Sequence, residues 1–115
     1  MKNLDEIKER YMRDALPVRL AGLAANLARI RSTARLAANR DVVANLIEES
    51  KYFIEWTARE ADVDAQAELA TLQIELARWK LQWASICPDD ARRRELGEHA
   101  GMWSNRILDM SGLPV

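Results

Sequence analysis

Apolar residues return every three or four positions along almost the whole chain, the spacing of one face of an α-helix. The clearest stretch is residues 63–87, VDAQAELATLQIELARWKLQWASIC, which holds no Gly or Pro and few β-branched residues. Leu69, Leu72, Leu76, Trp79, Trp83 and Ile86 make one stripe along it. Ala67, Ala70, Ile74, Ala77, Leu81 and Ala84 make a second. At about 100° per residue the two stripes lie roughly 140° apart. A helix apolar on two sides belongs at the centre of an assembly, and the rest of the chain is expected to pack around it.

The flanking segments follow the same period. Residues 4–15 predict a short helix with Asn3 as its cap and Asp5 and Glu6 in the first turn, where acids suit the dipole. Its apolar face is narrow: Leu4, Ile7 and Tyr11, with Met12 beside it. Pro17 breaks or kinks the chain, since proline suits a first turn and not a helix interior. A second helix over 17–38 has its seam at Leu20, Leu23, Leu27, Ile30, Ala34 and Ala37. Asn39 then reads as a C-terminal stop and Asp41 as an N-cap. A third helix over 41–60 offers Val43, Leu46, Ile47, Phe53, Ile54 and Trp56. Asp62 and Asp64 cap the fourth, which Pro88 ends. Asp89 opens a fifth over 90–111, with Leu96, Ala100, Trp103, Ile107 and Met110 as its seam. Gly112 and Pro114 stop it. Four helices of similar length joined by short loops pack antiparallel. The pattern therefore predicts an all-α fold, one domain over 1–115: an up-down-up-down four-helix bundle with a short N-terminal helix laid against it.

Composition narrows the class. A chain of 115 residues can bury one core. Half of it is apolar, but much of that is Ala, which favours helix more than bulk burial. A formal net charge of −1 recruits neither nucleic acid nor an anionic membrane. No apolar run approaches the roughly 20 residues of a membrane span. The lone Cys87 excludes an intrachain disulfide and fits a reducing compartment. The charged start, MKNLDEIKERYMRD, is no signal peptide. A cytoplasmic protein is expected.

Charge is unevenly spread. Residues 17–40 carry Arg19, Arg29, Arg31, Arg35 and Arg40 and no acid. Residues 41–64 carry Asp41, Glu48, Glu49, Glu55, Glu60, Asp62 and Asp64 against Lys51 and Arg59, a net of −5. A hairpin matched along its flanks would bring Arg31 to Glu48 or Glu49, each exposed pair contributing ~0–1 kcal/mol. The sharper reading is an arginine face for RNA or another anion, but the adjacent acidic helix would weaken its field.

Candidate chemistry is sparse. Di-iron bundles use Glu-x-x-His pairs. This chain has one histidine, His99, with Glu95 four residues before it, so no metal site is predicted. Cys87 has no histidine near it in sequence and reads as structural. Trp79, Trp83 and Trp103 fall on seams and read as core. A ligand slot near Trp79 and Trp83 would lack polar groups to orient its occupant, and no cofactor is expected. Gly97-x-x-x-Gly101, with Ser104 and Leu108 on the same face, is more specific. Each interior Gly costs a helix about 1 kcal/mol relative to Ala, so two on one face suit a closely approached backbone, with tolerated surface glycines as the equal alternative.

Arg94-Glu-Leu-Gly-Glu-His99 has the Arg-x4-His spacing and resembles the motif of HEPN-type ribonucleases, which are helical bundles and usually dimeric. The resemblance implies metal-independent RNA cleavage by Arg94 and His99 at a dimer cleft. Glu95 departs from the Asn, Asp or His common after that arginine. Within one helix, residues five apart point about 140° from each other, so the pair would have to meet across two subunits. Residues 46–58, LIEESKYFIEWTA, and 103–114, WSNRILDMSGLP, resemble a small family of uncharacterised helical proteins of cyanobacteria. That likeness implies no activity.

The residues support a non-catalytic module that binds protein, itself included, through the face made by Ala67, Ala70, Ile74, Ala77, Leu81 and Ala84 or that made by Gly97, Gly101, Ser104 and Leu108. The ribonuclease is the alternative. The surroundings of His99 separate the two: arginines in an open cleft favour cleavage, whereas packing on Leu96 and Trp103, with a bond to Glu95, favours the scaffold.

Overall fold

In the computed structural model, residues 3–113 are described. They form helices α1 (Leu4–Met12), α2 (Leu16–Thr33), α3 (Arg40–Thr57), α4 (Val63–Ile86) and α5 (Asp90–Ser111). Single 3-10 turns at Ala37–Asn39 and Ala58–Glu60 precede α3 and extend it. No strand occurs among the described residues, and no described helix is long and apolar enough to cross a membrane.

The helix ends follow local chemistry. The Asn3 side chain accepts from Asp5 N, Asp62 from Ala65 N, and Asp89 from Ala91 N and Arg92 N. Each fills an orphan donor of a first turn. Pro17 sits in the first turn of α2, where its missing N–H costs nothing. Gly112 closes α5 at φ +71°, a left-handed conformation that glycine adopts without strain. Pro114 lies outside the described residues.

Two boundaries differ from the period. α2 stops at Thr33 rather than near 38, because Thr33 Oγ1 donates back to Arg29 O and Asn39 Nδ2 reaches across the turn to Thr33 O. Asn39 thus stops the helix from six residues downstream. α3 has Asn39 at its N-cap position, and Asp41 falls inside the first turn instead of capping it.

Cross-helix bonds fix the directions. Asn26 with Glu49 and Arg19 with Glu60 join α2 to the α3 segment in opposite senses. Lys80 with Glu48, and Gln73 Nε2 with Lys51 O, do the same for α3 and α4. Arg106 with Glu68, and Arg92 with Ser85, do so for α4 and α5. Arg31 does not face Glu48 or Glu49. It lies along α5, two turns after Ala24 and one after Leu27, on the side of α2 that α5 covers.

The centre of the molecule is α2 and not α4. The most extensive packing in the fold is α2 on α5, followed by α2 on α3. Leu23, Leu27 and Ile30 are fully buried between these neighbours. α4 buries its first stripe, Leu69, Leu72, Leu76, Trp79, Trp83 and Ile86, and leaves the second outside. Alanine explains the difference. On α4 it serves helix propensity on a bare face. On α2 Ala24 is buried, its carbonyl accepting from Ser104 Oγ of α5 at 2.7 Å.

α1 docks on α3 through aromatic rings. Tyr11 stacks on Phe53 at 3.9 Å between ring centroids. Its hydroxyl donates to Arg19 O at 2.7 Å and accepts from Thr57 Oγ1 at 3.1 Å. Burial pushes the Tyr11 phenol up from 10 to about 12, the Thr57 bond opposing only part of the shift. The folded state therefore holds this proton more tightly than the unfolded state does. Its contribution is complete below pH 10 and is lost as pH climbs from 10 through about 12, on the order of 2 kcal/mol at the upper end. Urea melts at pH 9 and pH 11.5 should show a steeper alkaline loss for the wild type than for Tyr11→Phe. Equal losses would mean that Tyr11 is not held in this environment.

Candidate interaction face

The predicted site residues divide between two surfaces of opposite character. Ile74 is 63% exposed and Leu81 86% exposed, one above the other on the outer side of α4. Ala67, Ala70 and Ala84 are exposed around them, and Ala77 is half-buried. Val63, at the start of the same helix, is also bare. Nothing else in the described chain covers this strip, because α1 lies on α3 and α5 packs on the opposite side. Scattered exposed apolar side chains are ordinary, but an aligned pair flanked by alanines makes a continuous patch.

The glycine face behaves otherwise. Gly97, Gly101 and Ser104 are buried against α2, and Leu108 is half-buried against the core. A methyl group added at Gly97 would meet Arg31 O at 3.4 Å and Arg31 Cα at 3.7 Å. One added at Gly101 would lie 2.7 Å from Arg31 Cδ. The closely approached backbone that the Gly-x-x-x-Gly spacing called for therefore meets α2 of its own chain, and this face is not free for a second copy.

Arg94 and His99 open onto different clefts. Arg94 shares the α2 side of α5 with Arg31, Arg35 and Arg93. His99 is on the α4 side, in a cleft of about 220 Å³ with Glu75, Arg78 and Arg92 among its walls. Its Nδ1 lies 3.3 Å from Glu75 Oε1, so its partner is Glu75 on α4 rather than Glu95 one turn back, which lines the same cleft. The other Glu75 oxygen accepts from Trp103 Nε1 at 2.8 Å. The His99 surroundings thus combine features of both sequence readings, with two arginines and the Leu96 edge of the core in one cleft. The sequence could not reveal the Glu75 link, since 24 residues and a loop separate the partners.

A third cleft, about 510 Å³, opens between α1, α2 and α3, lined by Tyr11, Phe53, Arg10, Arg29 and Glu49 among others. Its charges are mixed and converge on no single point. Among the described residues, no group of three or more His, Cys, Asp or Glu side chains has the geometry of a metal site. Cys87 is buried, its thiol directed at Ala37 O. No family model, curated protein or solved structure matches the chain.

Proposed function

We propose that this chain is an up-down-up-down four-helix bundle, with α1 laid across α3, that works as a self-association module through the outer face of α4. The observation carrying the reading is the bare Ile74–Leu81 strip. A second copy is its best occupant because the strip is self-complementary. Turned about a two-fold axis near Ala77, α4 brings Ile74 of one copy against Leu81 of the other. The alanines on either side let the two helices approach closely. The buried Cys87 suits a reducing, cytoplasmic setting. The likeness of residues 46–58 and 103–114 to uncharacterised cyanobacterial helical proteins accords with such a module and adds no chemistry.

The ribonuclease reading has less behind it. Arg94 and His99 line separate clefts, so a single phosphate could meet both only across two subunits. An arginine pair beside His99, Arg78 and Arg92, is the one observation in its favour.

Sedimentation tests the main reading. The wild type should shift from monomer to dimer over the micromolar range. Ile74→Glu with Leu81→Glu should stay monomeric with an unchanged helical spectrum, because both side chains are exposed and their loss leaves the core intact. A wild type that remains monomeric at high micromolar concentration would sink the proposal.

A further inference from the structure

The cleft between the end of α2 and the start of α5 gathers more positive charge than the fold requires. Its walls carry Arg31, Arg35, Arg93 and Arg94 around Gly97, with Glu98 as the one acid, enclosing about 230 Å³. Among the described residues, Arg31, Arg35 and Arg94 make no ion pair. Arg31 suits the carbonyl end of α2. Arg93 and Arg94 do not share that excuse, since they stand near the amino end of α5, where the helix dipole opposes a cation.

Arg93 adds a second, independent observation. It is 5% exposed, yet lines the cleft. Its Nη1 donates to Cys87 O and its Nη2 meets Asp90, which hold the guanidinium in place. Its Nε is buried and has no partner. That N–H is closed to solvent, so an anion in the cleft would meet Arg93 through its fixed charge and not through this donor. Arg31 is fixed as well, because the missing side chain of Gly101 lets its stem lie flat on α5. The cleft therefore has one guanidinium held by partners, that of Arg93, one laid on Gly101 without a partner, and two free ones, contributed by both helices.

We propose that this cleft binds the phosphate group of a small ligand. Planar guanidinium groups present paired N–H donors that match phosphate oxygens, and Arg31, Arg35 and Arg94 set three unpaired charges against Glu98, the Arg93 charge being met by Asp90, an excess that favours a dianion over a monoanion. A small ligand suits the site better than a nucleic acid. The cations converge on one recess and do not form a track, and the acidic α3 segment lies on the far side of α2. This site is separate from the α4 face and stands or falls without it.

The test is calorimetric titration of the full chain with inorganic phosphate and, separately, with a sugar phosphate, at constant ionic strength in chloride. Arg35→Gln/Arg94→Gln is the variant, since both side chains are exposed and unpaired and their loss should leave thermal stability in chloride unchanged. The wild type should bind at least one probe with Kd below about 1 mM, and the variant should bind it at least tenfold more weakly. Tighter binding of the sugar phosphate than of inorganic phosphate would identify an ester as the natural ligand. The reverse order would identify the free anion. Equal binding by wild type and variant, or no binding of either probe, would overturn the proposal. So would retention of an RNA oligonucleotide by a wild type that ignores both phosphate probes.

Discussion

Trp103→Ala should destabilise the protein by about 3–5 kcal/mol, the range for removing a large buried aromatic side chain. Trp103 is 3% exposed on the inner face of α5. Its ring fills core volume, its Nε1 donates to Glu75 Oε2, and Arg106 lies over it at 4.7 Å from the ring centre. Truncation leaves a cavity, strips Glu75 of a donor in a half-buried position, and frees Arg106. These effects act on the contact of α5 with α4, which is thinner than the contact of α5 with α2. A domain of this size has about 5–15 kcal/mol in total, so much of the stability should go in one step. Ile74→Ala is the control, measured at protein concentrations below the dimerisation range: in the single chain its side chain already faces solvent, and its cost should stay within about 0.5 kcal/mol. Urea denaturation of both variants checks the contrast. Comparable losses would mean that Ile74 is buried in solution, or that Trp103 is not.

The helices were legible because each carries an apolar period, and most sharply where the end is chemically explicit, as at Asp62, Asp89 and Gly112; the end of α2 and the cap of α3, which have no such marker, fell elsewhere than expected. The pairing of the helices was not. Alanine occupies both a buried contact, at Ala24, and a bare surface, at Ala67 and Ala70, and the period treats these alike. That is why α4 reads as central from its residues while α2 is central in the fold. Charge misled in a related way. Five arginines on one segment facing seven acids on the next suggest a matched hairpin, and Arg19 with Glu60 is such a pair. Arg31 is not, since its direction depends on which helix lies over Ala24 and Leu27, a fact held by no local pattern. The arginine cleft left a partial trace in the sequence: Arg93 and Arg94 stand together near the positive end of a helix. The burial of Arg93 and the arrival of Arg31 and Arg35 needed the packing of α2 on α5.

The glycines of α5 allow that packing to be tested where it is tightest. Gly97→Leu should cost about 3 kcal/mol, at the upper end of the usual penalty for overfilling a packed contact. The first added carbon would touch Arg31 O at 3.4 Å and Arg31 Cα at 3.7 Å, distances that a methyl group tolerates. The remaining carbons of leucine would press on the α2 backbone, which cannot swing aside as a side chain can, and on the arginines of the cleft that Gly97 also lines. The helices would part, and Leu23, Leu27, Ala100 and Ser104 would lose contacts along the most extensive interface in the molecule. Gly97→Ala behaves differently. It gains ~1 kcal/mol of helix propensity and meets only the contact already described, so its net effect should lie within about 1 kcal/mol of zero. A large cost for leucine beside a small one for alanine is the signature of a backbone approached to within one methyl group. If both are tolerated, α2 is not where the structure puts it. If leucine instead leaves stability unchanged but abolishes dimer formation in the ultracentrifuge, the glycine face belongs to an interface between chains after all.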